Sequence, residues 1–245
     1  MLELISNLYT HMLAPIFVEI VVARYAEDID WLFADIARIH DARPDIRITV
    51  HVYNKGSIHK KHSQLPCIIE NLPNIGREAH TYLYHIIKSY ERYSVPINKV
   101  VLFLQGRIDD HLSYYRKKTT FEFLLWSIDE THMLKTTRAA ALVESNFSQG
   151  FTLGTYANYS LKPTGLTFGD WMTRFVVSPF PNPITWWVGA LFGVQSHILI
   201  QKPIQEYITI LDQFTTVNEE LAHFCERAWF YMIQPEFHGT MNVSH

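Results

Sequence analysis

The sequence is poor in the features that mark several large classes of protein. Its only two cysteines, Cys67 and Cys225, lie far apart and fit neither a disulfide framework nor the spacing of a zinc site. No stretch approaches the roughly 18 apolar residues that a membrane-spanning helix needs. Residues 1–15 lack the basic and apolar segments of a signal peptide. We therefore expect a soluble, cytoplasmic protein with no membrane span.

An excess of positive charge is also missing. The formal net charge is −3, so no general positive field attracts nucleic acid or an anionic membrane. Hydrophobic residues make up 48% and charged residues 18% of the chain, which is typical of a packed globular protein. This composition excludes a disordered chain and indicates no nucleic-acid partner.

The glycine and histidine motifs of four common enzyme classes are absent as well. The sequence contains no G-x-G-x-x-G, no G-x-x-x-x-G-K-[ST], no G-x-S-x-G and no H-E-x-x-H. These absences argue against a dinucleotide dehydrogenase, a P-loop NTPase, a serine hydrolase and a zinc protease, respectively.

The first half of the sequence instead shows alternating strand and helix patterns. Apolar runs predict strands over 19–25, 46–53 and 99–105, and helical periodicity predicts helices over about 28–40 and 74–92. This order is typical of a parallel sheet with helices on both faces. Ligands of such sheets bind at the carboxyl ends of the strands. The segments after Ala23, Tyr53 and Leu104 should therefore meet at one crevice.

The second half is less regular. A weakly patterned helix is predicted over 119–135, and 147–183 should form loops and short strands that shape a binding surface. Helices are predicted over 203–214 and 218–233, the second preceded by a capping-box pattern from Thr216 to Glu219. We interpret 1–245 as one α/β domain, with a nucleotide-binding half at about 18–111 and an acceptor-side half at about 112–245.

An acidic segment directly follows the strand over 99–105. Residues 105–111 read QGRIDDH, so Asp109, Asp110 and His111 should enter the predicted crevice just past Gly106. Carboxylates at such a position can hold a hard divalent ion that bridges two phosphates. A solvated turn after the strand explains the same residues equally well.

Two arginines also lie near this crevice in the predicted topology. Arg77 is in the first turn of a helix for which Asn74 is a candidate N-cap, and a cation there opposes the helix dipole. It could bind a phosphate or form a structural ion pair. At the end of the first strand, Tyr25 could stack on a base and Arg24 could meet a phosphate or a pyrimidine edge.

Several of these segments together resemble one protein family. The family of fungal, bacterial and large-DNA-virus proteins has long been labelled only as a domain of unknown function. It is similar to the N-terminal glycosyltransferase domain, of GT-A fold, in a chlorella-virus protein. The matching blocks, in order along the chain, are VVARY at 21–25, YNKG at 53–56, LPNIGREAHTY at 72–82, FLQG at 103–106, WVGALFGV at 187–194 and HFCERAW at 223–229.

The resemblance implies a GT-A-like fold, a UDP-type nucleotide-sugar donor and a Mn²⁺ or Mg²⁺ cofactor. Asp109 or Asp110 would bind the metal, with His111 beside them; the pair takes the place of the usual Asp-x-Asp motif. His238 could complete the metal sphere or be a tail residue. The residues that would contact the donor are Ala23, Arg24, Tyr25, Lys55, Asn74, Gly76, Arg77, Gln105 and Gly106.

The expected reaction is transfer of a sugar from the nucleotide-sugar donor to a glycan or other hydroxyl acceptor. An inverting enzyme needs a carboxylate base, and Glu219, Glu220 and Glu226 are candidates, with His223 beside them in the HFCERAW block. Trp171, Trp186 and Trp187 offer flat faces for a sugar ring or for core packing. The alternatives are a non-catalytic nucleotide-sugar or glycan-binding module and a metal-dependent phosphohydrolase.

Overall fold

A five-stranded, mostly parallel sheet flanked by helices forms the centre of the molecule. The computed structural model describes residues 15–57, 67–95, 99–134 and 142–233. The strands of this sheet are β1 (Ile16–Arg24), β2 (Ile46–Asn54), β3 (Cys67–Asn71), β4 (Val100–Gln105) and β9 (Phe192–Gln195). Their order is β3-β2-β1-β4-β9, and only β9 runs antiparallel to its neighbour. The α/β architecture expected from the sequence is confirmed.

The remaining strands form two small antiparallel pairs. Strand β5 (Leu142–Ser145) pairs with β8 (Ile184–Trp187), and β6 (Thr155–Tyr156) pairs with β7 (Tyr159–Ser160). In the turn of the β6–β7 hairpin both Ala157 and Asn158 have positive φ. Such a turn fits the twist of a two-residue hairpin.

Helices cover both faces of the central sheet. The helices are α1 (Asp30–Ala42), α2 (Arg77–Tyr93), α3 (Thr120–Leu134), α4 (Phe168–Phe175), α5 (Ser196–Leu199), α6 (Ile204–Leu211) and α7 (Glu220–Ile233). On one face, α1 packs against α3, and the Gln195 side chain reaches the backbone of α3. On the other face α2 packs against α6 and α7, with Tyr82 edge-on to Phe192.

The apolar strands explain why the sheet is buried on both faces. Val21 and Phe103 lie opposite each other in the register of β1 and β4, and both are fully buried. Tyr82, Phe103, Phe192 and Trp229 form a continuous aromatic cluster between the sheet, α2 and α7. Burial of such side chains contributes about 1.5–3 kcal/mol each, which makes this cluster a main source of stability.

Three predictions about local structure were wrong or incomplete. Strand β3 was missed because its sequence does not alternate between apolar and polar residues. Ile68 and Ile69, at this edge of the sheet, are both exposed. Helix α4 lies within the stretch predicted as loops and short strands. Its N-cap Thr167 accepts a hydrogen bond from the backbone N–H of Asp170, a capping pattern visible in the sequence.

The third correction concerns Asn74, which does not cap α2. The helix begins at Arg77, and Gly76 occupies the cap position with φ 58°. A side chain at Gly76 would collide with the ring of Phe214, with a Cβ only 2.4 Å from that ring. The Gly76 N–H donates to the carbonyl of Thr216 instead, which ties the start of α2 to the segment before α7.

No helix in the described part of the chain is long and apolar enough to cross a membrane. His238 and residues 1–14 lie outside the described residues, so the predictions for a late metal ligand and for the absence of a signal peptide stay predictions.

Candidate functional site

A cleft of about 420 Å³ opens where β1, β2 and β4 end and α2 begins. It brings together seven of the nine residues that the sequence suggests for donor binding: Ala23, Arg24, Tyr25, Lys55, Asn74, Arg77 and Gln105. Glu27, Glu78, Tyr159, Val217 and Asn218 complete its lining. The parallel order of the strands causes this convergence, because their carboxyl ends lie at the same edge of the sheet.

Tyr25 is an exposed aromatic residue of the cleft, with 53% of its surface accessible. It follows the last residue of β1, and its backbone N–H donates to the Glu27 carboxylate at 2.7 Å. The held backbone leaves the ring free to meet a flat ligand such as a base.

Arg24, in contrast, is used to fasten loops. Its guanidinium is buried and donates to the Glu27 carbonyl at 2.8 Å, to the Ser57 carbonyl at 3.1 Å and to the Asn54 side chain. The second terminal nitrogen, Nη2, is buried and has no hydrogen-bond partner in the described part of the structure. Arg24 therefore positions the ends of β1 and β2, and its Nη2 stays uncommitted within the described residues.

Lys55 joins the end of β2 to the start of α2. Its Nζ donates to the Ile75 carbonyl at 2.6 Å and to the Arg77 carbonyl. Burial lowers the pKa of Lys55 to about 7, because water no longer solvates the ammonium group. The cleft therefore contains an amine that a nearby anion can convert from the neutral to the ammonium form.

Arg77, unlike Arg24 and Lys55, has a side chain that is available to a ligand in the cleft. Its backbone has φ 47°, a left-handed conformation that is unfavourable for a residue with a Cβ. Its side chain is 37% exposed, lies 5.4 Å from the Tyr156 ring centroid and comes no closer than 3.8 Å to Glu78. The strained backbone aims a guanidinium into a cleft beside the N-terminus of α2, where anions are favoured.

Gly106 and Gln105 connect the cleft to the second half of the chain. A Cβ at Gly106 would lie 2.9 Å from a Glu27 carboxylate oxygen and 3.1 Å from the Glu27 Cβ, so a side chain here would displace Glu27. The Gly106 carbonyl accepts from the Trp31 indole at 3.0 Å. The Gln105 amide donates to the Gly189 carbonyl at 2.6 Å, and Gly189 in turn donates its N–H to Glu226 at 3.0 Å.

The acidic segment forms a single turn of 3-10 helix over Asp109–His111, outside the lining of the cleft. The carboxylate of Asp109 is paired with Arg107, with N–O distances of 2.8 and 3.0 Å, and this pairing lowers the pKa of Asp109. Asp110 is exposed, and its oxygen lies 3.7 Å from Nε2 of His111. The three side chains do not converge as a set, whereas Asp110 and His111 remain a two-ligand candidate.

Glu219 and Glu220, two of the candidate bases, bind backbone. Glu219 accepts from the N–H groups of Thr215 and Thr216, but α7 begins at Glu220, so Thr216 is not its N-cap and the predicted capping box was wrong. Glu220 is buried and accepts from the N–H of Leu153 at 2.5 Å and of Thr164 at 3.0 Å. These carboxylates hold loops of the second half in place.

Glu226 has a different environment. It accepts the Gly189 N–H at 3.0 Å and lies 3.9 Å from His223 Nδ1 and 3.6 Å from Arg227. Burial alone would raise the pKa of Glu226, but the neighbouring His223 imidazole and the charge of Arg227 outweigh it and lower the pKa. Nε2 of His223 is buried without a hydrogen-bond partner among the described residues, and its ring lies 4.4 Å from that of Tyr156.

Glu78 was not singled out from the sequence, yet it lines the cleft beside Arg77. Burial raises its pKa; Arg77 opposes this shift and the charge of Glu226 adds to it. Two carboxylates whose surroundings shift their pKa values in opposite directions are a pattern of general acid–base sites. The sequence signal was present, since Glu78 follows Arg77 directly.

Tyr156 and Tyr159 were missed too. Both belong to the β6–β7 hairpin, and Tyr159 lines the cleft. They lie in the stretch 147–183, for which the sequence predicted only loops and short strands. Of the tryptophans suggested as sugar platforms, Trp171 and Trp187 are fully buried in the core, and only Trp186 is partly exposed.

A second polar cluster lies away from the cleft. Glu19, His51 and His85 are buried, and their ligand atoms lie within 4.8 Å of one another, so that the cluster could hold a metal ion. It is the only group of three or more such side chains in the described ranges that meets this geometry. No sequence pattern pointed to it, because its members come from β1, β2 and α2.

In comparisons with known proteins, no family model matches the chain and no curated protein matches it.

Proposed function

We propose that the protein is a GT-A-like glycosyltransferase that binds a nucleoside-diphosphate sugar, such as a UDP-sugar, in the cleft. The observation that carries the proposal is the composition of the cleft. An exposed aromatic ring, a strained helix-start arginine and a partly neutral lysine line one opening at the carboxyl ends of three parallel strands. These are groups suited to a base and to phosphates.

The sheet supports the same proposal. Four parallel strands are followed by the antiparallel strand β9, and this order is compatible with a GT-A-like fold. In the proposed pose, Tyr25 stacks on the base, while Arg77 and Lys55 meet the diphosphate. The sugar then points past Gln105 towards Gly189, whose N–H binds the Glu226 carboxylate.

The metal expected from the family resemblance fits the acidic turn in part. Asp110 and His111 would hold Mn²⁺ or Mg²⁺, with the donor phosphates and water as further ligands, whereas Arg107 already occupies Asp109. When bound, the ion would neutralise negative charge on the leaving diphosphate.

Glu226 is the carboxylate that we propose as base. Its lowered pKa keeps it ionised at neutral pH, and within the described ranges it has one backbone hydrogen bond where Glu220 has two. In the inverting reaction Glu226 takes the proton of the acceptor hydroxyl. The hydroxyl oxygen bonds to the anomeric carbon as the bond from that carbon to the diphosphate oxygen breaks. Arg77 and Lys55 stabilise the departing charge.

A panel of nucleotide sugars tests the proposal. A ligand that binds only the folded protein raises its melting temperature, so at least one nucleoside-diphosphate sugar should do so, and Tyr25→Ala should reduce the shift. Release of free sugar or glycosylated product distinguishes an enzyme from a pure binding module. Release of inorganic phosphate from simple diphosphate esters would instead indicate a phosphohydrolase.

A further inference from the structure

The cluster Glu19, His51 and His85 lies at the other end of the sheet from the cleft. Glu19 precedes Arg24 by five positions in β1, which corresponds to about 16 Å along an extended strand. His85 belongs to α2, and Glu19 and His51 contact one another and His85 on the face of the sheet that α2 covers. None of them lines the cleft or has a part in the proposed transfer.

The ligand atoms of the cluster lie close together but are incompletely hydrogen-bonded. Nε2 of His51 lies 2.8 Å and Nε2 of His85 lies 3.4 Å from the same Glu19 oxygen, Oε1. The other carboxylate oxygen, Oε2, and Nε2 of His51 are buried and make no well-formed hydrogen bond within the described part of the chain. Buried polar atoms normally find a partner, so this arrangement points to a missing one.

Nδ1 of His85 already has the kind of hydrogen-bond partner that fixes a histidine ligand in metal sites. Its Nδ1 lies 2.8 Å from the Tyr53 hydroxyl, a contact that fixes the orientation of the ring. Histidine ligands commonly use their second nitrogen in this way. Nε2 of His85 lies 2.7 Å from the Tyr93 hydroxyl and would exchange that contact for the ion.

Two cations neutralise Glu19 when no ion is bound. Arg92 Nη2 lies 2.8 Å from Oε1, and Lys99 Nζ lies 3.7 Å from Oε2. Their side chains are 46% and 30% exposed, so both can move into water. They border a hollow of about 500 Å³ that reaches Glu19 and His51 from the surface and offers an entry path.

We propose that Glu19, His51 and His85 form a binding site for a borderline divalent ion, with Zn²⁺ as the representative. Two imidazoles and one carboxylate are a ligand set that suits zinc, and positions open to the hollow would be filled by water. Binding displaces Arg92 from Glu19. Mg²⁺, which prefers oxygen ligands, should not compete for this site.

Calorimetric titration of the whole chain with Zn²⁺, with and without excess Mg²⁺, tests the site. We expect one zinc ion per chain and a loss of affinity of at least about 100-fold in His51→Gln. His132→Gln, which changes an exposed histidine of α3, serves as the control for adventitious surface binding and should leave the affinity unchanged. Absence of zinc binding, or binding that survives His51→Gln, would overturn the proposal.

Two further variants keep all three ligands and guard against a folding artefact. Arg92→Gln removes the competing cation and should tighten zinc binding by about 10-fold. Tyr53→Phe removes the group that holds His85 and should weaken it by about 10-fold, the lower end of the effect of losing such a contact. A purely structural ion-pair network predicts no gain of zinc affinity in Arg92→Gln, and that result would contradict the proposed exchange.

Discussion

The start and the middle of helix α7 each carry a carboxylate, Glu220 buried and Glu226 half-buried, and the two are used differently. At the start, Glu220 accepts backbone N–H groups from two separate loops. Six residues later, Glu226 has a single backbone partner among the described residues and otherwise faces His223 and Arg227. A carboxylate whose oxygens are taken by the backbone maintains the fold, whereas one that faces titratable side chains can exchange a proton. The comparison therefore separates structural from chemical roles within one helix.

Substitution of Glu220 and Glu226 tests most directly whether one carboxylate is structural and the other catalytic. Glu226→Gln should lower kcat by about 10³-fold, within the range for loss of a general base, with little change in melting temperature. Glu220→Gln should instead destabilise the protein by about 1–3 kcal/mol, because charged hydrogen bonds to buried backbone are weakened. Transferase kinetics and thermal unfolding of both variants check this. A similar loss of kcat in both would remove the distinction.

Arg77 allows the same distinction between a structural and a chemical role to be tested at the donor site. Arg77→Ala should weaken binding of a nucleoside diphosphate by about 10- to 100-fold, since it removes a charged hydrogen-bond donor from the phosphates. Its melting temperature should not fall, because the side chain makes no close ion pair among the described residues. Arg174→Ala, on α4, is the matched control. Destabilisation without loss of affinity would assign Arg77 a structural role.

Lys55 should couple nucleotide binding to a proton. Its pKa in the free protein is about 7, so at about pH 8 the amine is largely neutral. A diphosphate beside it favours the ammonium form and raises the pKa, so that binding takes up close to one proton at this pH and almost none at about pH 6. Binding enthalpies measured in buffers of different ionisation heat report this uptake.

Lys55→Met should abolish the buffer dependence, while Lys88→Met, at an exposed lysine of α2, should preserve it. A wild-type enthalpy that is independent of the buffer at about pH 8 would show that Lys55 stays away from the phosphates.

The smallest effect is expected for substitutions in the acidic turn, which should change only the metal dependence of nucleotide binding. Asp110→Ala should remove the stimulation of nucleotide binding by Mn²⁺, whereas Asp109→Ala should largely retain it because Asp109 is paired with Arg107. Titration of both variants with and without Mn²⁺ measures the difference. Equal metal dependence in the two would move the ion to another site.

The sequence was sufficient for the parts of the fold that depend on local pattern. The apolar runs of β1, β2 and β4 and the periodicity of α1 and α2 predict these elements to within a few residues. Their parallel order then brings Tyr25, Lys55 and Arg77 to one edge of the sheet. Strand β3 escaped prediction because an edge strand with exposed Ile68 lacks an alternating pattern.

The roles of individual side chains depend on distant partners and could not be read from local pattern. Glu220 and Glu226 lie in the same predicted helix, and only the positions of Leu153 and Thr164 show that Glu220 is engaged. Likewise, Arg24 looks like a phosphate ligand until Ser57 and Asn54 are seen around it. The Glu19 cluster combines two strands and a helix, so no spacing rule reveals it.

Calorimetry of the wild-type chain with UDP, in the presence and absence of Mn²⁺, tests the central claim most directly. We predict binding of one UDP per chain that strengthens with Mn²⁺ and weakens at least about 10-fold in Arg77→Ala. Absence of binding for UDP and for every other nucleoside diphosphate would contradict the assignment of the cleft.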